Sequence, residues 1–332
     1  MIKLILPQNL ILSTPEVKRV LLPDVQASNP AVMIGLTRVG VTDVKKMVEI
    51  TRQDKRPIVL IPTFDIFVDL PSTRKGANLS RNLEAVDRTL EDALNRPVYA
   101  IEDLCVDVSR RLLETHEYAT NAEVRMRGEY MMKKRSPKTN LECQEVYDIY
   151  ADAVVTRSGE VRRTIGAEVI AMTACPCAQE ISKETADKKL KKLGVSDDII
   201  AQFLEEMPMC THNQRGIGTI KIKSGEDARI PIESIIDIIE NSMSSQMYEL
   251  LKREDERYVV ESAHKNPKFV EDCVRSMAKN LVQRFPNLPD EAFVTIEQVN
   301  EESIHRHNAY AERMATFGDL KKEVNNNGHI AV

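Results

Sequence analysis

No stretch of this 332-residue chain holds enough consecutive apolar residues to cross a bilayer, so a membrane-spanning helix is not expected. Basic charge does not dominate either. Lysine and arginine total 46 against 51 aspartates and glutamates, a formal net charge of −5. A general nucleic-acid binder draws its affinity from clustered basic side chains and is not expected, although a local basic pocket for one small anion stays open. Cysteine is sparse. Six in a chain of this length are too few for a disulfide scaffold, which points to a reducing cytoplasm and to thiols acting as core filler, metal ligands or nucleophiles. The opening stretch MIKLILPQNLILS has a short apolar segment but no convincing cleavage site, so a signal peptide is not expected.

What is present is globular: 42% hydrophobic and 29% charged residues, in a length that suits two ordinary domains. Residues 33–52 and 56–70 read as strands, the second alternating at Phe64, Ile66 and Val68. Two helices follow, one striped by Leu83, Val86, Leu90 and Leu94, the other by Ile101, Leu104, Val108 and Leu112, with Pro97 between them. Two more strands alternate around Val124 and Ile149, joined by the loop KKRSPKTN. The second half runs in the same order. VRRTIGAEVIAM and GIGTIKIKSG read as strands, a helix is marked by Ile232, Ile235, Ile236 and Ile239, and a second helix is expected from Asn266 as N-cap with Pro267 at its first position. AFVTIEQV and NAYAERMATF close as strands. Each half therefore reads hairpin, helix pair, hairpin, an α+β arrangement with helices on one sheet face. The expected boundaries are an N-terminal extension over 1–32, a first module over 33–157 and a second over 158–332. A charged helical insertion at about 178–211 interrupts the second module, with Ser182 as a weak N-cap, Gly194 as a stop and Ser196 as the next cap. It reads as a solvated segment.

Four stretches carry chemistry. MTACPCAQE places Cys175 and Cys177 around Pro176 at a strand end, where the missing N–H of proline stops sheet pairing and where alternation would turn both sulfurs to one side. Taken alone, two buried small hydrophobes are as good a reading, because this spacing lacks the specificity of paired zinc knuckles. CTHNQRG sets His212, Asn213, Gln214 and Arg215 before a strand, an imidazole nitrogen beside a guanidinium fork suited to phosphate or carboxylate, although taken alone a polar turn is the better reading. ESIHRHNAYAER holds His305 and His307, two of six histidines, at a spacing that suits a ligand or acid–base pair. REDERYVVESAHKNPKFVED supplies Glu256 and Glu271, the latter, taken alone, better read as a helical ion pair with Arg275. A mixed sulfur, nitrogen and oxygen set suits Zn²⁺ or Fe²⁺ and not Mg²⁺ or Ca²⁺.

In their order along the chain, LPDVQ, TRVGV, FVDLPSTRKG, ACPCAQEIS, THNQRG, KREDERYVVESAHKNPKFVED and ESIHRHNAYA resemble the GTP cyclohydrolase family that unites the archaeal MptA branch with the bacterial type IB enzymes. The resemblance covers most of the chain. It implies the tunnelling fold with two tandem modules, GTP as substrate, and a homodimer or homotetramer joined through its sheets with active sites near the interfaces. It further implies Cys175 as metal ligand or catalytic residue, His212, Glu256 and His305 as metal ligands, and Glu271 as the anchor of the guanine edge. A carboxylate suits that edge because it accepts from the ring N–H and the exocyclic amine together. His307, beside His305, is a candidate proton donor, and Arg215, Lys75 and Arg81 are candidate phosphate contacts. The long segment between CPC and HNQR resembles the archaeal branch, which implies Fe²⁺, with Zn²⁺ or Mn²⁺ as alternatives, and conversion of GTP to 7,8-dihydroneopterin 2′,3′-cyclic phosphate with release of formate and diphosphate. The chain departs from the family at Asn78 and Leu79, where histidine and methionine are usual. Three other readings stay open: the bacterial-type product 7,8-dihydroneopterin triphosphate, a tunnelling-fold nitrile reductase with a cysteine nucleophile and NADPH, and a metal-stabilised protein without enzymatic activity.

Overall fold

Alternating burial from Thr63 to Leu70 turns Phe64, Ile66, Val68 and Leu70 to one side of an extended strand, and the same pattern repeats along a whole sheet. The computed structural model describes residues 24–52, 55–93 and 100–326. In chain order the elements are β1 (Leu36–Lys45), β2 (Val48–Arg52), β3 (Lys55–Leu60), β4 (Thr63–Leu70), α1 (Ser80–Ala93), α2 (Ile101–Thr115), β5 (Asn121–Arg135) and β6 (Glu142–Thr156). Then come β7 (Val161–Ala174), α3 (Pro176–Lys192), α4 (Asp197–Glu206), β8 (Asn213–Ser224), α5 (Ile232–Glu240), α6 (Arg253–Lys265), α7 (Val270–Arg284), β9 (Phe293–Asn300), β10 (Ala309–Thr316) and α8 (Phe317–Asn326). Strands β1-β4-β5-β6-β7-β8-β9-β10 form one antiparallel sheet, and β2 and β3 form a separate hairpin. Helices α2, α5 and α7 pack on the apolar face, against β5 to β7 and β9. The core is the layer between, where Ile149, Ile220, Ile235, Leu104 and Leu112 are fully buried. Each such side chain contributes about 1.5–3 kcal/mol by leaving water. The result is the expected α+β architecture with helices on one face.

Several boundaries differ from expectation. The two long first strands are four. Asp43 adopts a positive φ of 57° inside a register shift between Val41 and Val44, and Pro62 falls between β3 and β4. Helix α7 starts at Val270, not at Pro267. Asn266 closes α6 and spends its side-chain amide on the carbonyls of Met243 and Ser244, while Asp272 accepts the Phe269 N–H at the new helix start. Ser182 lies inside α3, its hydroxyl bonded to Ala178 O, whereas Gly194 (φ 79°) and Ser196 sit where the stop and the next cap were expected. Leu94, Pro97 and most of the 1–32 extension lie outside the described residues.

Two buried polar clasps join distant parts of the chain. Arg163 of β7 is 2% exposed and its guanidinium binds Asp103 of α2 and the carbonyl of Ala228 before α5; Asp103 also receives Arg229. Asp255 of α6 accepts four hydrogen bonds, from the N–H groups of Lys138, Thr139 and Lys252 and from the Thr139 hydroxyl. Burial acts to raise its pKa, and these donors overcome burial and hold it well below the usual carboxylate range. The β5–β6 hairpin tip is thereby pinned to α6.

His116 is fully buried at the end of α2, with Nδ1 2.8 Å from the Tyr118 hydroxyl and Nε2 3.0 Å from Asn82 Oδ1. Burial pushes its pKa down to about 4, and the guanidinium groups of Arg81 and Arg74 push the same way. The unfolded chain then binds a proton that the folded chain refuses between about pH 6.5 and 4. Stability from this residue is complete above that window and is lost as pH falls through it, by about 3 kcal/mol in all. Urea titrations of wild type and His116→Gln from pH 7.5 to 4 should show a steeper acid loss in wild type; equal slopes would contradict the assignment.

Candidate functional site

Strand β7 ends at Ala174 because Pro176 cannot continue the ladder, and Cys175 becomes the N-cap of α3. Its sulfur accepts the Ala178 N–H at 3.5 Å, at the positive end of a 17-residue helix. Cys177 is inside that helix and exposed, so the two cysteines do not share a strand face as expected. The segment after CPC is consequently no detached insertion. Helix α3 grows directly from the cysteine turn.

The turn is held from three directions. Ala174 pairs with Asn213 across β7 and β8, the Cys175 N–H donates to His212 O at 3.0 Å, and the Thr211 hydroxyl donates to Cys175 O at 2.7 Å. Gln179, one turn into α3 and 4% exposed, donates its amide to the carbonyls of Met209 and His264. It thus ties α3 both to the return loop of the helical segment and to the end of α6. The Asn213 side-chain amide lies 3.4 Å from His264 Nε2. Gln179 and His264 were not singled out from the sequence, since their role depends on contacts 30 and 51 residues away.

His212 is half-buried beside Cys175. Its Nδ1 is 3.0 Å from Gln214 Oε1, 3.5 Å from Ser303 Oγ and 3.8 Å from Glu302 Oε2, and Gln214 Nε2 is 3.5 Å from Glu302 Oε1. The Glu301 N–H donates to Arg215 O, which seats the β9–β10 connection against the start of β8. That connection carries His305 and His307, both exposed, with rings stacked at 5.1 Å. Arg215 is exposed while its neighbour Gln214 is buried, as alternation along β8 requires. The N-terminal end of α7 reaches the same sheet end, because the Lys268 N–H donates to Ala174 O at 3.0 Å, and Glu271 stands exposed in the helix's first turn. Arg275 pairs with Asp272 at 2.8 Å, not with Glu271, so the bland ion-pair reading of Glu271 is displaced. Glu271 also lines a groove of about 900 Å³ between α7, β10 and α8.

One end of the sheet therefore gathers Cys175, His212, Arg215, Glu271 and the His305–His307 loop. Glu256 is exposed on the first turn of α6, eight residues before His264 and about 12 Å along the axis from it. Two expected residues are elsewhere. Lys75 and Arg81 lie beyond the end of β4, where Arg81 donates to Thr115 O, and β4 ends beside the start of β5. That is the opposite sheet end, separated from Cys175 by the length of β7, 13 residue steps or about 43 Å. Among the described residues no three His, Cys, Asp or Glu side chains are grouped to hold a metal ion. The donor types of Cys175 and His212 suit a transition metal, but one chain does not complete the four-residue set.

Asn78, standing where a histidine is usual, accepts the Arg74 guanidinium at 2.9 Å, and Arg74 stacks 4.1 Å from the Tyr118 ring centroid. No helix among the described residues is long and apolar enough to cross a membrane.

A sequence model of the family described as "Type I GTP cyclohydrolase folE2" matches residues 22–311. A protein of Methanocella arvoryzae named GTP cyclohydrolase MptA 1 is 82% identical over 94% of this chain and 99% of its own length. The GTP cyclohydrolase MptA of Methanosarcina barkeri is 63% identical over 92% of this chain and 97% of its own. Among solved structures, uricase from Arthrobacter globiformis covers 86% of this chain and 96% of its own with a TM-score of 0.51 at 8% identity. That likeness is one of fold alone and fits the tunnelling fold.

Proposed function

The chain belongs to the type I GTP cyclohydrolase family and is a GTP cyclohydrolase, and from that premise we propose that its product is 7,8-dihydroneopterin 2′,3′-cyclic phosphate, with formate and diphosphate released. The observation that carries this reading is the match, along more than nine-tenths of the chain, to proteins named MptA. Family membership displaces the nitrile reductase and non-enzymatic readings.

In the proposed reaction Glu271 accepts from the guanine ring N–H and amine, which holds the base in register. Water adds at C8, the ring opens as His305, His307 or Cys175 delivers a proton to nitrogen, and a second hydration releases formate. Arg215 holds the triphosphate. The sugar then opens, rearranges and condenses with the freed amine, closing the second ring with loss of water, and a hydroxyl of the opened sugar attacks the α-phosphate as diphosphate leaves; no residue is assigned to these steps. Fe²⁺ is the proposed cofactor, with Zn²⁺ or Mn²⁺ as substitutes; Cys175, His212, Glu256 and His305 would hold it, and when bound it would supply hydroxide near neutral pH. We propose that a homodimer or homotetramer completes the site, since only a second copy can bring Lys75 and Arg81 from the far sheet end to the cysteine turn. All six cysteines are free, in keeping with a proposed cytoplasmic location.

Product analysis tests the reading. Anaerobic enzyme with Fe²⁺ and GTP should release one diphosphate per formate and give a product with the mass of the cyclic phosphate. Formate without diphosphate, and a product that keeps all three phosphates, would establish the bacterial-type reaction instead.

A further inference from the structure

We propose that Glu302 and Gln214 form a positioning relay that fixes the tautomer of His212, leaving Nε2 as its only lone-pair nitrogen. The proposal rests on the reading of His212 as a site residue and adds two residues to that site. The argument is one of donors and acceptors. An ionised carboxylate can only accept. Glu302 Oε1 lies 3.5 Å from the Gln214 side-chain nitrogen, so it fixes the amide with its NH₂ toward Glu302; the flipped amide would set two acceptors against each other. Gln214 is buried, and its oxygen is thereby turned to His212 Nδ1 at 3.0 Å. An amide oxygen also only accepts, so Nδ1 must carry the proton. The second carboxylate oxygen of Glu302, 3.8 Å from the same nitrogen, reinforces that choice.

The consequence is directional. Free histidine in water favours the proton on Nε2, so the relay selects the tautomer that solution disfavours. It frees Nε2 to bind a metal ion or to take a proton, and it fixes the ring plane. A hydrogen bond from the remote ring nitrogen does the same for metal-bound histidines in general. The relay also links β8 to the β9–β10 connection, the segment that carries His305 and His307, so the imidazole and that loop are set by one carboxylate.

The test is nitrogen NMR of the full-length chain, labelled at histidine and stripped with chelator, at about pH 8.5, two units above the ordinary imidazole pKa. The His212 resonances are assigned by their loss in His212→Ala. Wild type should show a pyrrole-like Nδ1 and a pyridine-like Nε2. Gln214→Leu should move His212 toward the opposite tautomer, and the isosteric Glu302→Gln should give an intermediate pattern. The exchange Gln214→Glu with Glu302→Gln rebuilds the relay with acid and amide transposed and should restore the wild-type pattern. In turnover, Gln214→Leu should lower kcat by about ten- to a hundredfold, with KM for GTP changed by less than about threefold. A protonated Nε2 in wild type, or an unchanged tautomer in Gln214→Leu, would overturn the proposal. Absence of GTP turnover in wild type would strike the functional reading, while the nitrogen shifts would still decide the relay.

Discussion

Replacing His212 by alanine should reduce formate release from GTP by about a thousandfold, near the upper range for loss of a positioned acid–base or ligand group. Cys175→Ala should do the same. The two residues are bound to one another through the backbone, Cys175 N–H to His212 O, at the junction of β7 and β8. Groups that act as a unit are not additive. The double variant should therefore be about as slow as either single one, within roughly threefold. Steady-state assays of the three variants, with thermal melts to show that each is folded, decide the point. Single variants that retain more than about a tenth of wild-type turnover would remove the cysteine turn from the chemistry.

The second large effect concerns stability. Arg163→Met keeps much of the side-chain volume but leaves the Ala228 carbonyl without its buried donor and Asp103 with Arg229 alone. Breaking a buried pair on one side costs about 3 kcal/mol or more, because the remaining polar groups stay desolvated. For a chain of this size that corresponds to a melting temperature lower by about 6 °C. Arg229→Ala touches the same carboxylate, but its side chain is 63% exposed. It should cost less than about 1 kcal/mol. Calorimetry of the pair separates burial from charge; equal effects would show that Arg163 acts only as one more surface cation.

Much of this fold was legible because the sheet has one wet face. Alternation is clean along β4, β5, β6 and β9 and is interrupted in β7 and β8, where Ala174 and Thr219 are buried as well, and the apolar stripes of α2, α5 and α7 are wide. Helix α6 was not legible, since only Asp255, Val259 and Ala263 face inward, a single line of residues with an acid at its head. Helix α8 was missed because β10 runs into it at Phe317 without an intervening loop, and Gly318 at its second position argues against a helix start. The cysteine turn and HNQRG could be paired from the sequence once β7 and β8 were read as antiparallel neighbours. The distance of Lys75 and Arg81 could not, because local pattern does not report at which end of a shared sheet a loop emerges. Nor could the Glu302–Gln214 contact, which spans 88 residues between the start of β8 and the β9–β10 connection.

From β4 onward every strand of the large sheet lies beside its successor in the chain. Such a sheet can be laid down in the order of synthesis, each new strand adding to an edge already formed as the N-terminal part emerges first. Arg163 joins early, when β7 docks and Asp103 is already in place 60 residues behind it. The carbonyl that completes its burial arrives only 65 residues later. Until then, in that order of addition, Asp103 alone of its two partners is in place to hold the Arg163 guanidinium.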